Sequence, residues 1–253
     1  MKVQLFQQDI VWGDPAANRA RISSALDTAP KADLYVFPEM FTTGFATMDG
    51  AVVEESDAET LAWMKAEAAK RDAALAGSIA LKNGERCVNR LFFVKPDGSV
   101  THYDKRHLFL YGGEGGRFSA GSERVTVSFR GVRFLLAVCY DLRFPVWLRN
   151  RGDYDAIILV ANWPDARALA WNTLVRARAI ENQCYMIAAN RVGTDPACVY
   201  SGYSAMIDPY GEYVERPEPG KEAFAGGDID LEFLLRYSQK FPVLQDADAF
   251  KII

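Results

Sequence analysis

The chain is short of histidine. Two occur in 253 residues, His102 and His107, and both lie in one short segment. A histidine-rich metal site is therefore not expected. A cysteine or serine nucleophile would also have to do without the usual imidazole base. Cysteine is sparse too. Cys87, Cys139, Cys184 and Cys198 form no C-x-x-C pair, which argues against a zinc ribbon or a thioredoxin-type redox motif. No run approaches the ~20 apolar residues of a membrane span. The opening MKVQLFQQDIVW carries Gln and Asp inside its apolar pattern, unlike the core of a signal peptide. Positive charge is not in excess either. Lys and Arg total 29 against 33 Asp and Glu, a net charge of -4, so bulk charge offers no hold on nucleic acid or an anionic membrane. The G-x-S-x-G elbow, a G-x-G-x-x-G opening a βαβ unit, H-E-x-x-H and the GK[ST] of a P-loop are all missing. These absences leave a reduced, cytoplasmic protein as the expectation. Hydrophobic residues make up 49%, enough for a sizeable core, and residues 1–253 read as a single domain.

The apolar pattern outlines the elements. Val3 and Leu5 alternate with polar neighbours, as in a half-buried strand. Asp14–Pro15 starts a helix through Ile22 and Leu26, with the acid as N-cap and proline at the first position. ADLYVFPEM is a short buried strand cut off by Pro38. Ser56 and Glu59 have capping-box spacing, followed by Leu61, Met64 and Ala68 on one helical face. AALAGSIAL and VNRLFFVK read as strands, and the turn PDG at 96–98 joins the second to SVTHYDK. VTVSF and VRFLLAV form a hairpin around Arg130–Gly131. YDAIILVANWP is a buried strand, ALAWNTLVRARAIENQ a helix, and CYMIAANRVG and YSAMIDPYGEYVE are strands again. Alternating strands and helices with inserted hairpins predict an α/β fold with mixed sheets, two sheets covered by helices.

Three apolar strands end in polar groups: LYVFPE at Glu39, FLLAVCYD at Cys139, and AIILVANW at Asn162 and Trp163. Strand ends of α/β proteins line the crevices where ligands bind. Taken alone, Cys139 reads as a buried structural thiol as readily as a nucleophile. With histidine scarce, the base it would need is a carboxylate. An exposed carboxylate is a weak base for a thiol, and burial strengthens it. Glu39 lies between Val36–Phe37–Pro38 and Met40–Phe41, an apolar setting, although a capping or surface acid is the plainer reading of a lone Glu. Lys105 in HYDKRHLF would supply positive charge to an oxyanion. On a strand Tyr103, Lys105 and His107 would share one face. Glu114 stands among four glycines in YGGEGGRF, placed either for close approach to a site or in a surface loop. Cys87, Cys184 and Cys198 read as structural.

Taken in order, FPEMF, YDKRHLF and CYDLRFP resemble the three catalytic motifs of the nitrilase superfamily, the carbon–nitrogen hydrolases. VANWP, RARAIENQCYMIAANRVG and DPYGE resemble the family's later elements, and the tail KFPVLQDADAF is similar to that of the bacterial omega-amidase branch. The resemblance implies a four-layer α-β-β-α sandwich with two mixed sheets, paired into homodimers or higher homo-oligomers through a helical face. It implies metal-free, cofactor-free amide hydrolysis by a Glu-Lys-Cys triad. Glu39 matches the general base, Lys105 the lysine, Cys139 the nucleophile and Glu114 the second glutamate, with the backbone N–H of Tyr140 at the oxyanion. The substrate implied is a small 2-oxo dicarboxylic acid monoamide, such as 2-oxoglutaramate or 2-oxosuccinamate, opened through a thioester on Cys139. Its distal carboxylate needs a positive or N–H-rich partner, for which Arg143, Arg117 and Arg191 are the candidates; a structural ion pair of Arg143 with Asp141 or another acid is the competing reading. Trp163 and Phe118 are candidate pocket walls. The glycine richness around Glu114 departs from the family pattern. An N-carbamoyl or deaminated-peptide amidase is the alternative, and a non-catalytic binding protein on the same fold the more distant one.

Overall fold

The computed structural model describes residues 1–48, 50–55 and 59–252. The chain begins with β1 (Lys2–Gln7), α1 (Pro15–Thr28), β2 (Leu34–Val36), α2 (Glu59–Arg71), β3 (Ala74–Asn83), β4 (Arg86–Val94) and β5 (Val100–Asp104). The short α3 (Glu114–Arg117) leads to β6 (Thr126–Phe129), β7 (Val132–Val138), α4 (Pro145–Leu148), β8 (Ala156–Ala161), α5 (Ala168–Asn182) and β9 (Tyr185–Asn190). The rest comprises β10 (Val192–Thr194), β11 (Val199–Ser201), β12 (Ala205–Ile207), β13 (Tyr213–Glu215), β14 (Ala223–Asp228) and α6 (Leu231–Lys240).

Local chemistry sets the boundaries. The Asp14 carboxylate accepts the Ala17 N–H at 2.9 Å, and Pro15 opens α1. The expected cap at Ser56 lies outside the described residues; α2 buries Met64 and Ala68 as its spacing predicts. The β6–β7 turn places both Arg130 (φ 45°) and Gly131 (φ 83°) in the left-handed region, matching the twist of a tight hairpin.

Two six-stranded mixed sheets result, ordered β14-β1-β2-β3-β4-β5 and β13-β12-β9-β8-β7-β6. Each has three parallel strands at its centre, β1–β3 in one and β7–β9 in the other, flanked by antiparallel neighbours. Alternation along the strands builds the layers. Val3, Leu5, Leu34, Val36, Ala74 and Ala76 share one core with Phe134, Leu136 and Val138 of the other sheet. Phe6, Tyr35, Leu75 and Ile79 point the other way, onto Ile22 and Leu26 of α1 and Met64 and Ala68 of α2. Trp171, Val175 and Ala179 of α5 cover the second sheet. The four-layer α-β-β-α sandwich expected from the sequence is the fold observed.

Candidate active site

Four turns at strand ends deliver the site. β2 stops at Val36, Pro38 follows, and Met40 adopts φ 44° with its N–H on Ser78 Oγ at 2.9 Å. The turn directs Glu39 inward, where it is fully buried. β5 ends at Asp104, and the next N–H, that of Lys105, bonds Asn89 O at 3.0 Å. Strand alternation stops there, so the expected common face of Tyr103, Lys105 and His107 does not form. Tyr103 and His107 turn to Asp141 and Lys105 to the glutamates. Gly113 (φ 78°) bends the chain ahead of α3, and a Cβ on Gly112 would lie 2.5 Å from the Phe109 ring. The glycines thus let the loop fold tightly enough to bury Glu114, whose Oε2 accepts the Phe109 N–H at 2.6 Å. β7 ends at Val138, and Cys139 sits at φ 45° at the head of a 3₁₀ turn, Cys139–Arg143. A non-glycine residue held there costs ~1–3 kcal/mol and needs its surroundings to hold it. The Val138 N–H bonded to Asp141 Oδ2 at 2.9 Å is one such restraint.

The charged groups meet at the boundary between the two sheets. Lys105 Nζ lies 2.9 Å from Glu39 Oε1 and 2.8 Å from Glu114 Oε2, all three side chains being inaccessible to solvent. Glu39 Oε1 also accepts Asn89 Nδ2 at 2.7 Å, and Oε2 accepts the backbone N–H of Asn162 at 2.9 Å. Asn162 Nδ2 donates to Glu39 O at 2.9 Å. The carboxylate is therefore buried, but among donors rather than in the apolar setting its neighbours in sequence implied. Burial alone would lower the Lys105 pKa; the charges of Glu114 and Glu39 outweigh it and raise it, so the ammonium stays protonated. Burial pushes Glu114 above the ordinary glutamate value, with Lys105 opposing and Glu39 adding to the rise. Burial likewise pushes the Cys139 thiol well up, the Glu39 charge adds to it, and Lys105 pulls back. Burial and the two neighbouring glutamates thus favour the neutral thiol over the thiolate at rest.

A second network joins the lysine segment to the cysteine turn. The fully buried Asp141 accepts Tyr103 Oη at 2.7 Å, His107 N at 3.1 Å and the Val138 N–H, and pairs with His107 Nδ1 at 2.8 Å. Burial and the Asp141 charge push the Tyr103 phenol well up, keeping it a donor. Arg143 does not pair with Asp141, contrary to the competing reading of that arginine.

Cys139, 8% exposed, lies on a cavity of about 270 Å³. Tyr140, Arg143 and Trp163 also line it, with Phe45, Phe109, Asn162 and Arg167. Arg143 stacks its guanidinium over the Trp163 ring at 4.9 Å. Three candidates fall elsewhere. Phe118 is fully buried in a separate cluster with Met40, Ala46 and Cys87. Arg117 donates to Ala46 O and Met48 O, both at 3.1 Å, fixing the strand-free segment that carries the cavity wall. Arg191 is buried beneath Tyr200 and donates to Val192 O, Ile10 O and Thr194 O. Its Nε and Nη2 are held by these carbonyls and Nη2 lies 3.5 Å from Asp9 Oδ1, while Nη1 is buried without a partner among the described residues, and the side chain braces the β10–β11 hairpin. Cys198, read from sequence as structural, lines the cavity instead. Asn89 and Arg167 had no place in the sequence reading. A lone Asn in the apolar run VNRLFFV is a signal for the first; an arginine in WPDARALAW carries none for the second.

These features match a known family across the chain. The family model for the carbon-nitrogen hydrolases matches residues 2–238, and the chain belongs to that family, hydrolases of amide C–N bonds. Within it the chain stands with the omega-amidase branch. It is 45% identical to the omega-amidase YafV of Yersinia enterocolitica, covering 100% of this chain and 99% of that one. It is 33% identical to the 2-oxoglutaramate amidase of Bacillus subtilis, over 96% of each. The crystal structure of XC1258 from Xanthomonas campestris, a CN-hydrolase superfamily protein with an arsenic adduct in its active site, superposes with a TM-score of 0.95 at 42% identity. That match covers 100% of this chain and 98% of the other.

Proposed function

We propose that this chain, as one hydrolase domain over 1–253, releases ammonia from the terminal amide of small 2-oxo dicarboxylic acid monoamides such as 2-oxoglutaramate and 2-oxosuccinamate. The observation that carries the reading is the buried Lys105 ammonium between Glu39 and Glu114, beside Cys139 on the cavity wall. The relatives named omega-amidase and 2-oxoglutaramate amidase support the choice of substrate. At about 270 Å³ the cavity lies near the lower end of ligand pockets, ~300 Å³, and suits a small substrate.

Glu39 takes the proton of Cys139 as the sulfur attacks the amide carbonyl carbon, so no free thiolate has to persist at rest. The C=O electrons move to an oxyanion facing Lys105 and the N–H of Tyr140, which as an opening residue of the 3₁₀ turn has no partner within it. Asn162 Oδ1, buried and unpaired among the described residues, offers an acceptor to the amide NH₂. Glu39 passes its proton to the leaving nitrogen, the C–N bond breaks and ammonia departs, leaving a thioester. Water, losing a proton to Glu39, attacks the thioester carbon, and the thiol leaves with that proton to restore Cys139. No cofactor takes part. The raised pKa of Lys105 supports an electrostatic role for it rather than proton donation.

Arg143, cavity-lining and without a carboxylate partner among the described residues, remains a candidate for the distal carboxylate. A homodimer and cytoplasmic residence complete the proposal. Exposed apolar side chains on and beside α5 and α6, among them Ile180, Tyr210, Leu235 and Phe241, support pairing, and four free cysteines fit a reducing compartment. The deciding measurement is ammonia release from 2-oxoglutaramate by wild type and Cys139→Ala. Wild-type turnover abolished in the variant is expected; a wild type that turns over N-carbamoyl compounds or other amides but not 2-oxoglutaramate would sink the substrate assignment.

A further inference from the structure

We infer that Arg167 joins Arg143 in a two-guanidinium clamp that receives the 2-oxo acid end of the substrate and turns away an α-ammonium group, making the pair the determinant that separates 2-oxo monoamides from glutamine and asparagine. The inference rests on the reading of the site as a Cys139 amidase. Both arginines line the cavity that holds Cys139. They are placed around one indole: Arg143 Cζ lies 4.9 Å over the Trp163 ring, and Trp163 Nε1 donates to Arg167 O at 2.9 Å. The Arg167 guanidinium lies 5.1 Å over the Phe109 ring, which packs edge-on against Tyr140, the residue after the nucleophile, at 5.1 Å.

The manner of holding matters. Elsewhere in the molecule Arg90 and Arg133 are engaged by carboxylates. Arg143 and Arg167 are supported on aromatic faces instead, and among the described residues neither pairs with an acid. Stacking leaves the N–H edge of a guanidinium free for planar acceptors. The acid nearest at hand in the cavity wall, Asp195, is occupied by its own turn, accepting Tyr200 Oη at 2.6 Å and the N–H groups of Ala197 and Cys198 at 2.8 and 2.7 Å. A 2-oxo acid offers a carboxylate and a coplanar keto oxygen, all acceptors. Glutamine offers the same carboxylate but an ammonium in place of the keto group, which is repelled by both cations in a partly desolvated cavity. Discrimination thus comes from repulsion as well as attraction.

The test compares kcat/KM of wild type, Arg167→Met and Arg167→Lys on 2-oxoglutaramate, glutaramate, glutamine and the neutral butyramide. Removing one charge-assisted hydrogen bond by truncation corresponds to about a 10–100-fold effect. Arg167→Met should therefore lose at least ~10-fold more on 2-oxoglutaramate than on butyramide, chiefly through KM, and the ratio of glutamine to 2-oxoglutaramate turnover should rise. Arg167→Lys should recover part of both. Equal losses on anionic and neutral amides, or an unchanged glutamine ratio, would overturn the clamp. If the wild type ignores 2-oxoglutaramate, the proposed substrate fails, while the glutaramate–butyramide comparison still decides whether Arg167 recognises a carboxylate.

Discussion

Cys139 and Cys184 make a controlled pair within one sheet. Both are buried at the boundary of a parallel strand, and burial pushes both thiols well up. Cys139 follows β7 and Cys184 precedes β9, so they occupy opposite edges of the sheet. Acid neighbours, Glu181 and Asp155, raise Cys184 further, with no cation opposing them. It packs among α5 and β9, its sulfur 3.9 Å from Arg178 O. Cys139 has Lys105 pulling its pKa down, a carboxylate beside it and a cavity in front. Reactivity therefore does not follow from burial or from a perturbed thiol. On the proposed mechanism it follows from a carboxylate and a cation placed where the strand opens to a cavity.

Alanine substitutions should divide the pair most sharply. Cys139→Ala is expected to lose at least ~10³-fold in ammonia release, the scale of a lost catalytic group, whereas Cys184→Ala stays within about 2-fold. Comparable losses in both would mean that the cysteines act through packing. Lys105→Met comes next. It leaves Glu39 and Glu114 facing each other with no cation, and breaking a buried pair in this way costs ~3–5 kcal/mol. Turnover should collapse in a protein that still folds, and iodoacetamide labelling of Cys139 should slow while that of Cys184 does not change. A variant with only a raised KM would make Lys105 a binding group.

A smaller effect concerns Glu114. Its folded-state pKa lies above the ordinary glutamate value of about 4.3. Between those two values the folded chain holds more protons than the unfolded chain, so this group's contribution to stability is lost as pH rises through the window. Urea unfolding from about pH 4 to 7 should show a shallower loss with rising pH in Glu114→Gln than in wild type; identical slopes would remove Glu114 as the source. The smallest effect reverses the first contrast. Cys184→Ala should cost about 1 kcal/mol, lowering Tm by ~2–4 °C, while Cys139→Ala, at the cavity wall, costs less. Calorimetry of the two variants decides it.

Most strands, the β4–β5 and β6–β7 hairpins and the Asp14-capped helix were legible because alternation, Pro and Gly positions report directly on backbone geometry, whereas β14 and α6 were not read from the sequence. Glu39, Lys105 and Cys139 were legible as a set because three motifs agreed, Glu114 only through the family resemblance, and the fold does bring the four together. The misplacements share a cause. Arg191, Arg117 and Phe118 have the right chemistry for a pocket, but residue type does not say which way a side chain points. Arg191 is turned into the β10–β11 hairpin, with carbonyls and Asp9 on its fork, and Phe118 into a satellite core. Arg167 and Asn89 reach the site only through the meeting of segments far apart in sequence; the lone Asn in an apolar run flags the second, and no local pattern encodes the first.

Glu39, Asn89 and Lys105 come from one sheet, Cys139 and Asn162 from the other, and the Glu39–Asn162 hydrogen bonds stitch across. The site is in effect a vernier between two rulers. On the proposed mechanism, sliding one sheet over the other by a fraction of an ångström leaves both sheets intact yet changes the separation of Glu39 and Cys139. Turnover is consequently a finer gauge of the inner core than any melting curve, and tight packing between Leu136, Val138, Val36 and Ala76 is as much a part of the chemistry as the thiol.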